Sequence, residues 1–237
     1  MLFRALFERR LRSHAGKLLE ELFPQGYAGE FFLCGGAFKP LLKEGLPIND
    51  LDLWVRNRRE REKLSAALVE RGAQLIKDFQ PFCIKFQLGG RDVEITYDNV
   101  NDRTLPEMLD ACDLAISSMG VRYANGRIAE VCVSAECWQA VRHKRVAVLN
   151  SFWVALLNKR GPSLLNCLHR MARQAAELEY HSNPAHEQIL WDIYWNDFTE
   201  DQRSVAVKLY QEIAVNYKGQ GDEVLMHRAL HRQGRPF

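Results

Sequence analysis

No apolar stretch of this chain reaches the roughly 18 residues that a helix needs to cross a bilayer. Arg4, Arg9, Arg10 and Arg12 interrupt the apolar residues at its start, so a secretory signal is not expected there. Excess charge of one sign is also missing. Lys and Arg total 32 against 30 Asp and Glu, a net charge of +2 over 237 residues, which excludes a strongly basic nucleic-acid coat but not a local basic groove. Basic runs do occur at Arg56–Lys63 and Arg142–Arg145, and read as solvated surface. None of the six cysteines (34, 83, 112, 132, 137, 167) forms a Cys-x-x-Cys pair. A zinc site and a disulfide framework are therefore not expected, and buried thiols in a reducing cytoplasm are. No internal repeat is evident. Hydrophobic residues at 47% and charged residues at 26% leave an ordinary globular chain, long enough for one ample domain or two small ones.

Periodicity then divides the chain. Leu2, Leu6, Leu11, Leu18, Leu19 and Leu22 lie at helical spacing, ended by Pro24 and Gly26. Glu30–Cys34 reads as a strand, Gly35-Gly36 as a turn, and Ala37–Lys43 as a short helix. Asp50–Arg56 alternates, with Leu51, Leu53 and Val55 on one face and Asp50, Asp52 and Trp54 on the other. A helix over Arg59–Arg71 is followed by strands Phe82–Leu88 and Asp92–Tyr97 around Gly89-Gly90, a helix Leu105–Ser118, and a hairpin around Asn125-Gly126. After about Val146 strand signals vanish. Helices are expected over Ser163–His181, Ala185–Asn196, Thr199–Tyr217 and Asp222–His231, the third with Gln202 at the capping-box position. The expected fold class is α+β: a mixed β-sheet flanked by helices in residues 1–145, then an all-helical domain in residues 146–237.

One ordered set of residues carries chemistry: Phe31-Phe32-Leu33-Cys34-Gly35-Gly36, thirteen residues, then Asp50-Leu51-Asp52-Leu53. Residues two apart on a strand share a face, about 6.6 Å apart. Two carboxylates so placed can hold hard cations, and magnesium takes oxygen ligands while keeping bonds to substrate phosphates. A third acid is expected on a neighbouring strand, where Asp92 and Glu94 share a face; Glu94, flanked by Val93 and Ile95, is preferred as ligand and proton acceptor. Gly35 and Gly36, between a strand and a helix, allow phosphates to approach bare backbone, and Lys39 one turn later adds positive charge.

This combination resembles the polymerase β-like nucleotidyltransferase superfamily. Within it, the chain is most similar to tRNA nucleotidyltransferase (the CCA-adding enzyme) and bacterial poly(A) polymerase. Glu94 matches the acid of the family's head domain. Asp113-Leu114-Ala115-Ile116-Ser117-Ser118-Met119 is similar to its Arg-Arg-Asp-Phe-Thr-Ile-Asn-Ala-Met segment, and Leu168–Leu178 to its neck helix, Arg-x-x-Arg-Phe-Ala-Ala-x-Leu. The resemblance spans roughly residues 30–180. It implies a metal-dependent transfer of a nucleoside monophosphate from a nucleoside triphosphate to a hydroxyl, with an RNA 3′ end as acceptor and pyrophosphate released. It implies two Mg²⁺ ions (Mn²⁺ can substitute) on Asp50 and Asp52, nucleotide contacts from Asp113, and a cytoplasmic protein without membrane partners.

Some family positions differ. Phe38-Lys39-Pro40 stands where the family has Arg-Asp, Cys112 where it has Arg, and Ser117 where it has Asn. Glu200-Asp201-Gln202-Arg203 does not reproduce the family's Glu-Asp-x-x-Arg and reads as a helix start with acids favouring the dipole. These differences keep two other functions open: nucleotidyl transfer to a protein or small molecule, and a non-catalytic binding protein on the same fold. Elsewhere, His227 and His231 read as a solvated helix face, Trp191, Tyr194, Trp195 and Phe198 as core packing, and the basic tail His231–Arg235 as a frayed terminus.

Overall fold

A computed structural model describes residues 2–23, 27–79, 83–97, 103–158, 161–216 and 223–231. Pro24 and Gly26, Tyr217 and the tail from Arg232 lie outside the described residues. Contacts divide the chain into two units: Met1–Cys112 with Ile116–Val141, and Asp113–Ala115 with Arg142–Phe237.

The first unit is built on a seven-stranded mixed sheet. Its strands are β1 (Phe31–Cys34), β2 (Asp50–Val55), β3 (Gln74–Phe79), β4 (Cys83–Leu88), β5 (Arg91–Tyr97), β6 (Met119–Ala124) and β7 (Arg127–Val133). Their order is β3-β4-β5-β2-β1-β6-β7, and only β2 and β5 run parallel. The alternation in β2 has the consequence read from it: Leu51, Leu53 and Val55 are buried, whereas Asp50 is exposed and Asp52 and Trp54 are half-buried. The buried side joins Phe31, Leu33, Val93, Ile95 and Val121 in the main core. Helix Leu2–Leu22 covers it with Leu11, Ala15, Leu18 and Leu19, and helix Arg58–Glu70 with Leu64, Ala67 and Leu68. Each such leucine contributes about 1.5–3 kcal/mol on burial, so this face fixes the strand registers.

The opposite face is apolar only in part. Phe32 and Cys34 on β1 lie beneath Leu105, Met108 and Leu109, with Trp54 packed beside them. The covering helix is shorter than its apolar spacing suggests, Leu105–Leu109 rather than Leu105–Ser118. A capping box of Thr104 and Glu107 starts it. It stops because the next residues are held elsewhere: Leu114 bridges to Val148, Ala115 N–H donates to Ala147 O, and Ala115–Ser117 is a 3₁₀ turn.

Helix Leu2–Leu22 also closes the open edge of the sheet. Arg4 Nη2 donates to Val133 O at 2.6 Å and Arg12 Nη1 to Ile128 O at 2.7 Å, both on the edge strand β7. Covering edge carbonyls this way prevents pairing with foreign strands. The Asn125-Gly126 turn joins β6 to β7 with both residues at positive φ (53° and 74°), as a two-residue hairpin with matching twist requires.

The described residues of the second unit are mostly helical, with a two-residue parallel pair, β8 (Arg145–Val146) with β9 (His181–Ser182), and the Leu114–Val148 bridge. That pairing lies within the second unit, which takes in Arg142 onward together with Asp113–Ala115. Helix Leu164–Leu178 buries Leu164, Leu165, Leu168, Met171, Ala175 and Leu178. Helix Pro184–Asp192 runs into a π-helical turn, Ile193–Asp197. Trp191 and Tyr194 are buried in this core, and Tyr194 Oη donates to Ala229 O. Helix Glu200–Asn216 begins with the reciprocal Thr199–Gln202 capping bonds at 2.9 and 3.2 Å. Arg203 is spent locally, donating to Phe198 O with its guanidinium over the Trp195 ring.

Candidate active site

Strand register assembles the site. On β1, Cys34 stands opposite Asp52 of β2. On the other side of β2, the parallel partner β5 sets Asp92 opposite Asp50 and Glu94 opposite Asp52. Residues paired across strands share a face, as do residues two apart along one. Four carboxylates therefore occupy one face of two adjacent strands, at the end of β2 where Asp50 is exposed.

The turn after β1 crosses the same end. Gly35–Phe38 forms a 3₁₀ turn that leads into the short helix Lys39–Leu42, and Lys39 N–H donates to Gly36 O. Gly35 has φ +68°, a conformation that side chains disfavour. A Cβ on Gly36 would stand 3.2 Å from Asp50 Oδ1, and one on Gly35 would stand 3.8 Å from Asp52 Oδ2. Bare backbone thus lies directly against the two acids of β2.

The acids of β5 are not equivalent. Lys85 Nζ of β4 lies 2.8 Å from Asp92 Oδ2, so Asp92 already has a cation. Glu94 instead accepts a hydrogen bond from the Cys83 thiol. That thiol is pushed up to about 11, first by burial and then by the charge of Glu94 and its hydrogen bond. Burial, followed by Cys112 and Asp52, raises the Cys34 thiol as well. Both thiols beside the acids are therefore protonated at neutral pH and act as donors or packing groups, not as nucleophiles.

The donor set fits a hard divalent cation. The candidates are carboxylate oxygens, and the adjoining glycines place no side chain against them. Among the described residues no three such side chains are already gathered around an ion position. Magnesium needs no such cage when phosphate oxygens supply ligands, since one or two carboxylates then suffice.

Of the residues singled out in the sequence, Gly35, Gly36, Asp50, Asp52, Asp92 and Glu94 meet on this face. Lys39 follows in the adjoining helix. Asp113 belongs to the second unit, buried, with Oδ1 3.1 Å from Arg170 Nη1 and its carbonyl accepting from Leu149 N–H. Two neighbours of the site carried no sequence signal. Lys85 reaches Asp92 across a hairpin, and His14 reaches the glycine turn from 23 residues away, with Nε2 2.9 Å from Ala37 O. His227 and His231 approach each other, ring centroids 4.9 Å apart, but no third ligand joins them among the described residues.

No family model matches the chain, and no curated protein matches it. Solved structures do. A CCA-adding enzyme in an apo form matches with a TM-score of 0.58 and 16% identity, over 95% of this chain and 49% of that one. A tRNA nucleotidyltransferase complexed with a primer tRNA and an incoming ATP analog matches with a TM-score of 0.54 and 16% identity, over 84% of this chain and 63% of that one. The Thermotoga maritima CCA-adding enzyme complexed with tRNA matches with a TM-score of 0.55 and 14% identity, over 95% and 49%. The chain spans less than two thirds of the length of each. The fold that the sequence resemblance implies is the fold of this chain.

Proposed function

We propose that the chain is a nucleotidyltransferase that transfers a nucleoside monophosphate from a nucleoside triphosphate to an RNA 3′ hydroxyl. The observation that carries this reading is the placement of the Gly35-Gly36 turn beside Asp50 and Asp52, close enough that a Cβ on either glycine would reach a carboxylate, with Glu94 in register beside Asp52. A glycine turn lets a triphosphate lie against backbone, while paired carboxylates one strand away suit the cations that accompany it.

In the proposed reaction the acceptor oxygen attacks the α-phosphorus. The new O–P bond forms, the bond from the α-phosphorus to the bridging oxygen of the β-phosphate breaks, and pyrophosphate leaves. Asp50, Asp52 and Glu94 would hold Mg²⁺, or Mn²⁺ in its place. Bound there, the ions would act as Lewis acids toward charge on the transferring phosphoryl group. Glu94 accepts the proton of the attacking hydroxyl. Gly35 and Gly36 receive the triphosphate, and Lys39 adds positive charge beside it. Asp113 is proposed to contribute to nucleotide binding, as the resemblance implies, through the segment that Arg170 holds.

An RNA acceptor is supported by the two tRNA-bound structures of the same fold. A protein or small-molecule acceptor is the second reading, favoured by the near balance of 32 basic and 30 acidic residues. Incubation with Mg²⁺, each α-labelled NTP in turn, and separate pools of RNA, protein and small hydroxyl compounds tests both. Label on RNA supports the first reading and label on another pool the second. A fold retained only for binding would give NTP binding without transfer to any pool.

A further inference from the structure

The N-terminal helix does more than cover the core. Its His14 leaves the apolar stripe of Leu11, Ala15 and Leu18 and turns toward the glycine turn, where Nε2 lies 2.9 Å from Ala37 O. A carbonyl can only accept, so Nε2 carries the proton and donates. The imidazole also packs edge-on against Phe38, with ring centroids 6.1 Å apart. Ala37 and Phe38 are the last two residues of the 3₁₀ turn that Gly35 and Gly36 begin.

The turn is anchored at its far end, where Ala37 and Phe38 are fully buried in the main core, but its glycine start has no side chain to hold it. Its first residue lacks a side chain and sits at positive φ, and no side chain caps its start. Yet its position is critical, because Gly36 stands within 3.2 Å, by its would-be Cβ, of Asp50 Oδ1. His14 is itself held firmly. Arg4 and Arg12 of the same helix are tied to Val133 O and Ile128 O on β7, and Leu11 and Ala15 on either side of it are fully buried.

We infer that His14 is a positioning residue for the triphosphate: through Ala37 O it braces the Gly35–Phe38 turn at the spacing from Asp50 and Asp52 that a nucleotide requires. This inference rests on the nucleotidyltransferase reading of that site. It makes the N-terminal helix part of the nucleotide site. The donor is needed in either charge state, since neutral Nε2–H imidazole and imidazolium both donate.

Two variants separate bracing from packing. His14→Phe keeps an aromatic ring against Phe38 and removes the donor. His14→Gln keeps an N–H donor of similar reach and removes the ring. Calorimetric titration with Mg·NTP, and amide hydrogen exchange over residues 35–39, are measured on both and on the unaltered chain. His14→Phe is expected to weaken NTP binding roughly three- to tenfold, the worth of one hydrogen bond. It should also speed exchange over residues 35–39 while exchange in β2 and β5 is unchanged, and His14→Gln should restore most of both. In turnover the loss should fall on KM for the nucleotide and not on kcat. Equal binding and equal exchange in His14→Phe would overturn the inference alone. Failure of the unaltered chain to bind any NTP would overturn it together with the reading on which it rests.

Discussion

Asp52 and Glu94 are direct partners in the parallel strand pair β2–β5. Residues 42 positions apart in the chain thereby stand one strand spacing apart, about 4.8 Å. The next carboxylate pair along, Asp50 with Asp92, is similarly placed, but there Lys85 already occupies one member. The four acids are thus divided by a single lysine on β4.

That division gives the first prediction. Glu94→Gln should reduce nucleotidyl transfer at least about a hundredfold, the scale of losing a positioned proton acceptor. Asp92→Asn should reduce it less than about tenfold, because Asp92 is committed to Lys85. Steady-state rates of the two purified variants check this. A larger loss in Asp92→Asn would make Asp92 the working acid.

The two glycines should fail in different ways when replaced by alanine. At Gly36 the new methyl group would meet Asp50 Oδ1 at 3.2 Å, tighter than ordinary contact, so transfer and NTP binding should fall roughly tenfold or more while the fold persists. At Gly35 there is room, 3.8 Å to the nearest atom, but φ is +68°. Gly35→Ala should therefore cost about 1–2 kcal/mol of stability, read by urea unfolding.

The local part of this arrangement is legible in the sequence. The alternation of Asp50–Val55 told which side chains face the core, and Gly35-Gly36, Gly89-Gly90 and Asn125-Gly126 punctuated the strands, because those signals are local. Strand neighbours are not local: nothing in the chain says that β5 lies beside β2, or that Lys85 meets Asp92 instead of Glu94 directly across from it. Strand Gln74–Phe79 carries no alternation in the sequence because it is a bulged edge strand, with Leu75 and Ile76 both exposed. Helix Leu105–Leu109 was overextended because Leu114 and Ile116 continue an apolar pattern, although Leu114 actually bridges to Val148. Helices Ala135–Arg142 and Asn150–Asn158 are too short to show a clear apolar period, although Ser134 Oγ caps the first by accepting from Cys137 N–H at 2.9 Å.

The second unit should lose stability in mild acid through His186. Its Nδ1 accepts from Val148 N–H at 3.1 Å and its ring meets Trp153 edge-on, so the bond requires neutral imidazole. Burial, and then Arg145, hold its pKa below the usual value of about 6.5. A lowered folded-state pKa means that the unfolded chain binds the proton more readily. The stabilisation is present above about pH 6.5 and is lost as pH falls from there through the folded-state pKa. Urea midpoints at pH 7.5 and 5.0 should fall less in His186→Gln than in the unaltered chain. Equal falls would remove His186 from the account.

The central claim is α-phosphoryl chemistry at the β2 carboxylates, and it is tested by following two labels from one nucleotide. With Mg²⁺, NTP labelled at the α- or γ-phosphate and an RNA acceptor, α-label should appear in the RNA and γ-label in pyrophosphate, in equal amounts. Asp52→Asn should do neither while unfolding at a similar urea concentration. Release of γ-label as inorganic phosphate, or equal transfer by Asp52→Asn, would contradict the account.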